Sequence, residues 1–306
     1  MSINRIDHAA IRVKDLGEAL EWYEGVLDLI VLDRNADRAL LTCGGDEADI
    51  TLINGGQAVE SFAFGVDHGD DLDAIMSRLN NSGVEYSRYK DADRPGHGEI
   101  LGFDLPSGHH MEFVVADGAR TAGVTNFTSD GSARPTDIDH INILGDLNPR
   151  EFAEFMKMVL GFKLSIALTI AGNWAGSWLR ASKLDHDIAY MQAIHPGDRL
   201  HHIAFAMEDG NHYFRLSDRL VENGHRWEWG PGRHMAGGTY GTTKGFGTNT
   251  FAYVLDPTGN RNEFSGGMDE MDDDASVVND TSPEKLPEFM NGWSYGIPET
   301  FLSTGT

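Results

Sequence analysis

An eight-residue run that occurs twice is the feature that most constrains the fold of this chain. Residues 106–113 read PSGHHMEF, and residues 257–264 read PTGNRNEF. Each copy contains a Pro-x-Gly turn next to β-forming residues, so each copy is expected to join two neighbouring strands. One copy lies in each half of the chain, which indicates an internally repeated fold.

Other segments repeat in the same order. Residues 7–11 (DHAAI) resemble residues 139–143 (DHINI), and residues 61–64 (SFAF) correspond to residues 202–205 (HIAF). A helix-like pattern follows each of them. In the first pair of helices the apolar residues recur with the spacing i, i+3, i+4, i+7, at Leu16, Ala19, Leu20 and Tyr23 and at Phe152, Phe155, Met156 and Val159. Each unit therefore has the pattern strand, helix and about three strands.

This pattern predicts an α+β fold of four βαβββ modules, paired into two domains that are each a curved mixed sheet with helices outside. Residues 1–118 form the predicted N-terminal non-catalytic domain, and residues 136–267 form the predicted C-terminal metal-binding domain. Residues 119–135, rich in Gly, Thr, Ser and Asp, are the predicted linker. The acidic and aromatic tail at residues 268–306 is either a disordered end or a strap over the second domain, and its aromatic residues favour the strap.

Composition limits the possible partners and metal ligands. The formal charge is -24 at pH 7, which would repel nucleic acid phosphates and anionic lipids, so neither is expected as a partner. No membrane-spanning apolar run and no signal-peptide pattern occur, which predicts a cytoplasmic protein. The single cysteine, Cys43, excludes an intrachain disulfide and a cysteine-based zinc site. Metal ligands must therefore be histidines and carboxylates.

Aligning the two halves by their repeats pairs His8 with His140, Ser61 with His202, and Glu112 with Glu263. The second half thus offers two imidazoles and one carboxylate from three strands of one sheet. Such a facial triad leaves coordination positions open, which suits non-haem Fe(II) or Mn(II) chemistry with oxygen. Serine is a poor metal ligand, so we expect one working site in the second half and a structural first half.

Strand alternation distinguishes the adjacent histidines 201 and 202. His201 shares a face with the large apolar residues of the strand, whereas His202 shares a face with Ala204 and Ala206. Small residues leave room for a cavity. His202 is therefore assigned to the metal and His201 to the packed side.

Three more residues of the second half are suited to proton transfer around such a site: His186, His234 and Tyr253. Each also has a purely structural explanation. His186 would cap a strand, His234 would be a solvated loop residue, and Tyr253 would be a core residue with a satisfied hydroxyl group. The residues alone leave these alternatives open.

Taken together, these segments resemble the type I extradiol ring-cleaving dioxygenases, the catechol 2,3-dioxygenase and homoprotocatechuate 2,3-dioxygenase branch of the vicinal oxygen chelate superfamily. The resemblance spans roughly residues 4–267 and is carried by residues 139–140 (DH), 199–202 (RLHH), 230–234 (GPGRH) and 256–263 (DPTGNRNE). It implies a homo-oligomer with an inactive N-terminal domain.

The resemblance also implies ligands, roles and a reaction. Fe(II), or Mn(II) in some relatives, would be bound by His140, His202 and Glu263. His186 would be the acid/base, His234 and Tyr253 would surround the catecholate oxygens, and Asn142 and Trp178 would lie near the site. The substrates would be a substituted catechol and O₂, and the product a muconic semialdehyde-type compound.

One segment departs from the family pattern. Residues 235–247 are glycine-rich and longer than the usual connection, which predicts a mobile lid and makes the ring substituents of the substrate unpredictable. Two other functions are consistent with the same fold: a glyoxalase-like isomerase that uses a redox-silent divalent metal, and a metal-free binding or resistance protein. The combined presence of His186, His234 and Tyr253 argues against the isomerase. The intact triad argues against the metal-free protein.

Overall fold

Two mixed β-sheets organise the computed structural model, which describes residues 3–90, 97–116, 132–235, 249–271, 276–293 and 296–306. The elements of the first half are β1 (Ile3–Val13), α1 (Leu16–Leu20), β2 (Ile30–Arg34), β3 (Arg38–Thr42), β4 (Ile50–Asn54), β5 (Ala58–Val66), α2 (Gly69–Asn81), β6 (Tyr86–Tyr89), β7 (His97–Asp104) and β8 (His110–Ala116). Those of the second half are β9 (Asp137–Gly145), α3 (Pro149–Phe155), β10 (Lys163–Ile170), β11 (Asn173–Arg180), β12 (Ile188–Gln192), β13 (Leu200–Ala206), α4 (Gly210–Glu222), β14 (Trp229–Arg233), β15 (Thr250–Leu255) and β16 (Arg261–Gly266). The tail adds β17 (Val277–Thr281), α5 (Leu286–Met290) and α6 (Glu299–Ser303).

Each sheet joins two modules through their first strands. The first sheet has the order β2-β3-β4-β1-β5-β8-β7-β6, and the second has the order β14-β15-β16-β13-β9-β12-β11-β10-β17. The first and last strands of every module are parallel neighbours, whereas β1 with β5 and β9 with β13 are antiparallel. The predicted α+β fold of four βαβββ modules is therefore confirmed.

Strand register reproduces the sequence repeat residue by residue. In the first sheet, Ala63 pairs with both His8 and Glu112. In the second sheet, Ala204 pairs with both His140 and Glu263. Because side chains of directly paired residues lie on the same face of a sheet, each histidine and its glutamate point to one side.

The first helix of each half ends differently from the prediction. The spacing of apolar residues predicts a continuous α-helix, but α1 continues as a π-helix over Glu21–Val26 and α3 continues as one over Met156–Leu160. As the sequence indicates, Asn148 caps α3 by accepting a hydrogen bond from the amide of Arg150 at 2.9 Å. The π-helical turns occur at matching places in both copies, so they belong to the repeated design.

The second repeated turn is held by the first half of the chain. The hydroxyl group of Tyr23 donates to Asp256 at 3.0 Å, and the indole nitrogen of Trp22 donates to the side-chain oxygen of Asn262 at 2.9 Å. All four residues are buried. The strand that carries Glu263 is thus fixed from outside its own sheet.

The tail packs on the second half, as the strap alternative describes. Strand β17 pairs in parallel with β10, and the amide of Thr306 donates to the carbonyl of Leu200 at 3.0 Å. Phe301 is only 3% exposed. The segment therefore extends the second sheet and covers one of its surfaces.

Several sequence-based expectations fall mostly outside the described residues. The linker at residues 119–135 and the loop at residues 235–247 are two of these, so the domain boundaries and the lid stay predictions. None of the helices in the described ranges has the length and apolarity needed to cross a membrane.

We expect Asp256→Asn to remove part of the pH dependence of folding. Burial raises the pKa of the Asp256 carboxyl to about 6, against the hydrogen bonds that favour its charged form. This folded-state pKa exceeds the value of about 3.9 in an unfolded chain. The stabilising contribution of the protonated carboxyl group is therefore fully present below about pH 3.9 and is lost as the pH rises through the folded-state pKa. Between pH 4 and 7 the wild type should lose about 2 kcal/mol in free energy of unfolding relative to the variant.

Urea denaturation across this pH range measures the difference. The same substitution at Asp33, an exposed carboxylate on β2, is the matched control. Parallel pH profiles for the wild type and Asp256→Asn would contradict the expectation.

Candidate metal centre

Three buried side chains from neighbouring strands converge on one point of the second sheet. Nε2 of His140 lies 3.2 Å from Nε2 of His202 and 3.3 Å from Oε2 of Glu263. Nε2 of His202 lies 2.9 Å from the same carboxylate oxygen. Within the described ranges, these residues form the only group of three or more His, Cys, Asp or Glu side chains with metal-ligand spacing.

The cluster follows from the register of β9, β13 and β16. Ala204 lies between His140 and Glu263, and its small side chain leaves the space above it open. His202 precedes Ala204 by two positions and therefore points to the same face. His201 packs against Phe301, with ring centres 4.8 Å apart, and its Nδ1 lies 2.7 Å from Nδ1 of His202.

A second layer of hydrogen bonds orients the three side chains. Nδ1 of His140 lies 3.3 Å from the Asp139 carboxylate, and the side-chain amide of Asn249 donates to Oε1 of Glu263 at 3.0 Å. These contacts direct Nε2 of His140 and Oε2 of Glu263 toward the common point. Partners of this kind fix ring orientation and raise ligand basicity in metal sites.

Electrostatic coupling keeps the Glu263 carboxyl group ionised. Burial alone would raise its pKa, but His140 and His202 lower it well below the usual range. Burial also opposes protonation of His140, yet Glu263 and Asp139 raise the pKa of that imidazole to about 10. Burial lowers the pKa of His202 to about 4, against the effect of Glu263. A divalent cation would displace the proton of His140, because a metal-binding imidazole must be neutral. Two neutral imidazoles and one carboxylate then carry a single negative charge, and this donor set fits a divalent cation.

His186 lies next to the cluster and is held by its neighbour in sequence. Its Nδ1 lies 2.8 Å from the buried carboxylate of Asp185, and its ring meets that of His140 edge-on at 4.4 Å. The adjacent Asp187 accepts hydrogen bonds from the backbone of Ala181 and Ser182, which fixes the turn. The carboxylate accepts the Nδ1 hydrogen, so Nε2 of a neutral His186 is free to accept a proton.

His234 and Tyr253 form a second pair. Nδ1 of His234 donates to the carbonyl of Met290 at 2.6 Å, because a carbonyl oxygen can only accept. Burial lowers the pKa of His234 to about 4, so the ring is neutral and its Nε2 accepts from the Tyr253 hydroxyl group at 2.9 Å. Burial and Glu263 raise the pKa of Tyr253 well above its usual range. Tyr253 therefore keeps its phenolic hydrogen.

A cavity of about 40 Å³ connects these groups. Its lining contains all eight side chains that the sequence identified: His140, Asn142, Trp178, His186, His202, His234, Tyr253 and Glu263. The side-chain oxygens of Asn142 and Asn249 are buried without a hydrogen-bond partner among the described residues. Uncompensated buried oxygens beside a cavity are a feature of ligand sites.

Sequence reasoning missed part of this lining. Ile166, Met191, Asn249 and Met290 were not singled out, and Phe301 was noted only as a tail residue. His201 was assigned to the packed side, yet it also lines the cavity. The supporting role of Asp139 and Asp185 left a detectable signal, because an Asp-His dipeptide occurs at both positions. No comparable signal distinguishes the apolar residues from ordinary core residues.

The matching position in the first sheet has a different set of contacts. Nε2 of His8 lies 3.3 Å from Glu112, and Nδ1 lies 2.8 Å from Asp7. Ser61 stands where the second half has His202, and the hydroxyl group of Tyr89 donates to Glu112 at 2.9 Å. Hydrogen bonds thus stabilise this carboxylate where the second half has a second imidazole.

The amino-acid sequence is similar to those of two extradiol dioxygenases. The chain is 28% identical over 283 residues to a manganese-dependent 2,3-dihydroxybiphenyl 1,2-dioxygenase from Geobacillus genomosp. 3, covering 87% of this chain and 86% of that protein. It is 29% identical over 279 residues to a metapyrocatechase from Pseudomonas sp. (strain CF600), covering 87% of each. The resemblance to extradiol dioxygenases is therefore confirmed.

Solved structures share the whole fold. Homoprotocatechuate 2,3-dioxygenase from Brevibacterium fuscum superposes with a TM-score of 0.83 at 22% identity, over 100% of this chain and 93% of that chain. A Mn(II)-bound glyoxalase from Novosphingobium aromaticivorans superposes with a TM-score of 0.81 at 25% identity, over 100% of this chain and 95% of that chain.

A family model matches both halves. The model of the Glyoxalase/Bleomycin resistance protein/Dioxygenase superfamily matches residues 5–113 and again residues 137–264. The two matches correspond to the two sheets and together cover more than half of the chain. The chain therefore belongs to the glyoxalase, bleomycin resistance protein and dioxygenase superfamily.

Proposed function

We propose that this protein is an extradiol dioxygenase that cleaves the ring of a substituted catechol with O₂ to give a muconic semialdehyde-type product. One observation carries the proposal: the triad of His140, His202 and Glu263 shares its cavity with His186, His234 and Tyr253. The triad provides a metal site with open positions, and the other three supply proton transfer beside it.

The resident ion is proposed to be Fe(II), held by His140, His202 and Glu263, with Mn(II) as the alternative. The donor set suits either ion, and one of the relatives is named as manganese-dependent. When bound, such an ion supplies adjacent open coordination positions and the electronic coupling that a spin-restricted reaction between a catechol and O₂ requires. The two imidazoles and the carboxylate would hold the ion at the end of the cavity where their ligand atoms converge.

His186 is proposed to act as the acid/base. The Asp185 carboxylate holds its Nδ1 hydrogen at 2.8 Å, which leaves Nε2 as the proton acceptor. Nε2 would take a proton from a catechol hydroxyl group and later return it to the oxygen that becomes part of the product. The edge-on contact with His140 keeps this ring beside the triad.

Tyr253 and His234 are proposed to bind the catecholate oxygens. Without substrate, the Tyr253 hydroxyl group donates to Nε2 of His234 at 2.9 Å, and on substrate binding it would turn this hydrogen to a catecholate oxygen. A fixed donor aimed at developing negative charge is worth more in a buried site than in water. Asn142 and Trp178, which line the cavity, would contact the ring.

A second candidate is a divalent-metal isomerase of the glyoxalase type. The observation that favours it is the shared fold of the Mn(II)-bound glyoxalase. The proton-transfer groups beyond the triad support the dioxygenase instead. A metal-free binding protein is disfavoured because all three candidate ligands are intact and oriented.

Anaerobic reconstitution separates these functions. The purified protein is loaded with Fe(II) or Mn(II), mixed with a catechol and exposed to air, while oxygen uptake and the yellow ring-fission chromophore are followed. The dioxygenase proposal predicts one O₂ consumed for each ring opened. An absence of uptake across catechols, hydroquinones and trihydroxybenzenes would exclude it. Conversion of a thiol-aldehyde adduct without oxygen would support the isomerase.

We expect His202→Ala to abolish tight metal binding, because it leaves one imidazole and one carboxylate. Metal content after gel filtration, measured by elemental analysis, checks this. His8→Ala is the control, since it removes a buried histidine of the first sheet, at the position equivalent to His140 and outside the candidate triad. Retention of full metal content in His202→Ala would remove His202 from the ligand set.

We expect His186→Phe to keep the metal and to lower kcat about 100-fold or more, as for the loss of a general acid/base. Single-turnover kinetics and metal analysis on the same sample check both parts. His68→Phe, at an exposed position that makes no side-chain cap of α2, is the control. Unchanged turnover in His186→Phe would contradict its proposed role.

A further inference from the structure

The cavity beside the candidate metal centre is lined by two chemically different groups of side chains. Imidazoles, amides, a phenol and the Glu263 carboxylate form its polar part. The rest is apolar and consists of Ile166, Trp178, Met191, Met290 and Phe301. Strands β10, β11 and β12 carry the first three, and the tail carries the other two. No lysine or arginine is among the described residues that line it.

Arg261 lies behind Phe301 of this apolar wall, and its donors are already used. Its Nε and Nη2 donate to the Glu228 carboxylate at 2.7 and 3.0 Å, and its Nη1 donates to the carbonyl of Thr304 at 3.1 Å. The ring of Phe301 covers the guanidinium group, with Cζ 4.9 Å from the ring centre. Arg261 is therefore paired and shielded from the cavity.

Three carboxylates lie in the lining or directly behind it. Glu263 belongs to the triad, and Asp139 and Asp185 stand behind His140 and His186. The chain as a whole carries a formal charge of -24, which lowers the local concentration of anions around the protein. An anionic ring substituent would be buried without a cationic partner and would also be repelled.

We infer that the site selects catechols whose ring substituent is uncharged and apolar, such as an alkyl or aryl group, and discriminates against catechols that carry a carboxylate. This inference rests on the proposed dioxygenase function and assigns its substrate class. Ile166, Trp178, Met191, Met290 and Phe301 are the residues that determine the specificity. An apolar substituent gains free energy by leaving water for this wall, whereas a carboxylate loses its hydration there.

A pair of catechols that differ in charge tests the inference. 3,4-Dihydroxyphenylacetate and its methyl ester share the diol and the side-chain length. Binding to the Fe(II)-loaded protein is measured anaerobically by calorimetry, and kcat/KM is measured by oxygen uptake. We expect the ester to be favoured by about 100-fold or more in both measurements, as for burial of an unpaired charge.

Arginine substitutions in the wall should change this preference. Met290→Arg and Met191→Arg each bring a cation to the lining, so each should improve binding of the carboxylate relative to the ester by about tenfold or more. Met158→Arg is the matched control, because Met158 is 80% exposed and outside the lining. Lys244 is a cation in the loop that follows His234 in the sequence, and it lies outside the described residues. Lys244→Ala is therefore included as a further variant. The inference predicts that it leaves the preference unchanged.

Each result of the binding and oxygen-uptake measurements either supports or contradicts the proposed preference for uncharged substituents. Equal or tighter binding of the carboxylate by the wild type overturns it, and loss of that binding in Lys244→Ala would identify the cation responsible. A preference for the ester in binding without oxygen uptake supports the inference about the wall and removes the dioxygenase proposal. If the arginine variants do not fold, the ratio in the wild type still decides.

Discussion

The buried carboxylate of Glu263 is the constraint on which the rest of the second half depends. It is 1% exposed and lies on a strand in the middle of a sheet, where an isolated charge would cost several kcal/mol. Two imidazoles and the Asn249 amide compensate this cost. Their placement requires the register of three strands to be fixed, because a shift of one residue would turn each side chain to the other face.

Each half of the chain contributes to fixing that register in the other. Trp22 bonds Asn262, the residue before Glu263, while His109 of the first repeated turn donates to the carbonyl of Arg199 at 2.9 Å. These contacts cross between the sheets in both directions. These contacts agree with a structural first half, whose first helical segment holds the strand that carries Glu263.

The sequence predicts the framework of the site much better than its walls. Strand pairing obeys a period of two, and a duplicated chain shows each pairing twice, so His140, His202 and Glu263 were identifiable without a structure. Met290 and Phe301 were not identifiable as site residues, because the tail has no counterpart in the first half and its position depends on packing alone. Ile166 and Met191 lie on strands in which any apolar residue suits a core equally well.

The tail links the protonation of the site to its shape. If Nε2 of His202 binds the proposed metal it has no hydrogen, and its Nδ1 then donates to Nδ1 of His201 at 2.7 Å. His201 in turn donates to the backbone carbonyl of Phe301. The carbonyl of Met290 fixes the tautomer of His234 in the same way. The side chains of the same two tail residues line the cavity. Their backbone therefore determines which nitrogen atoms carry hydrogen, while their side chains form part of the cavity wall, so a shift of the tail would change both properties together.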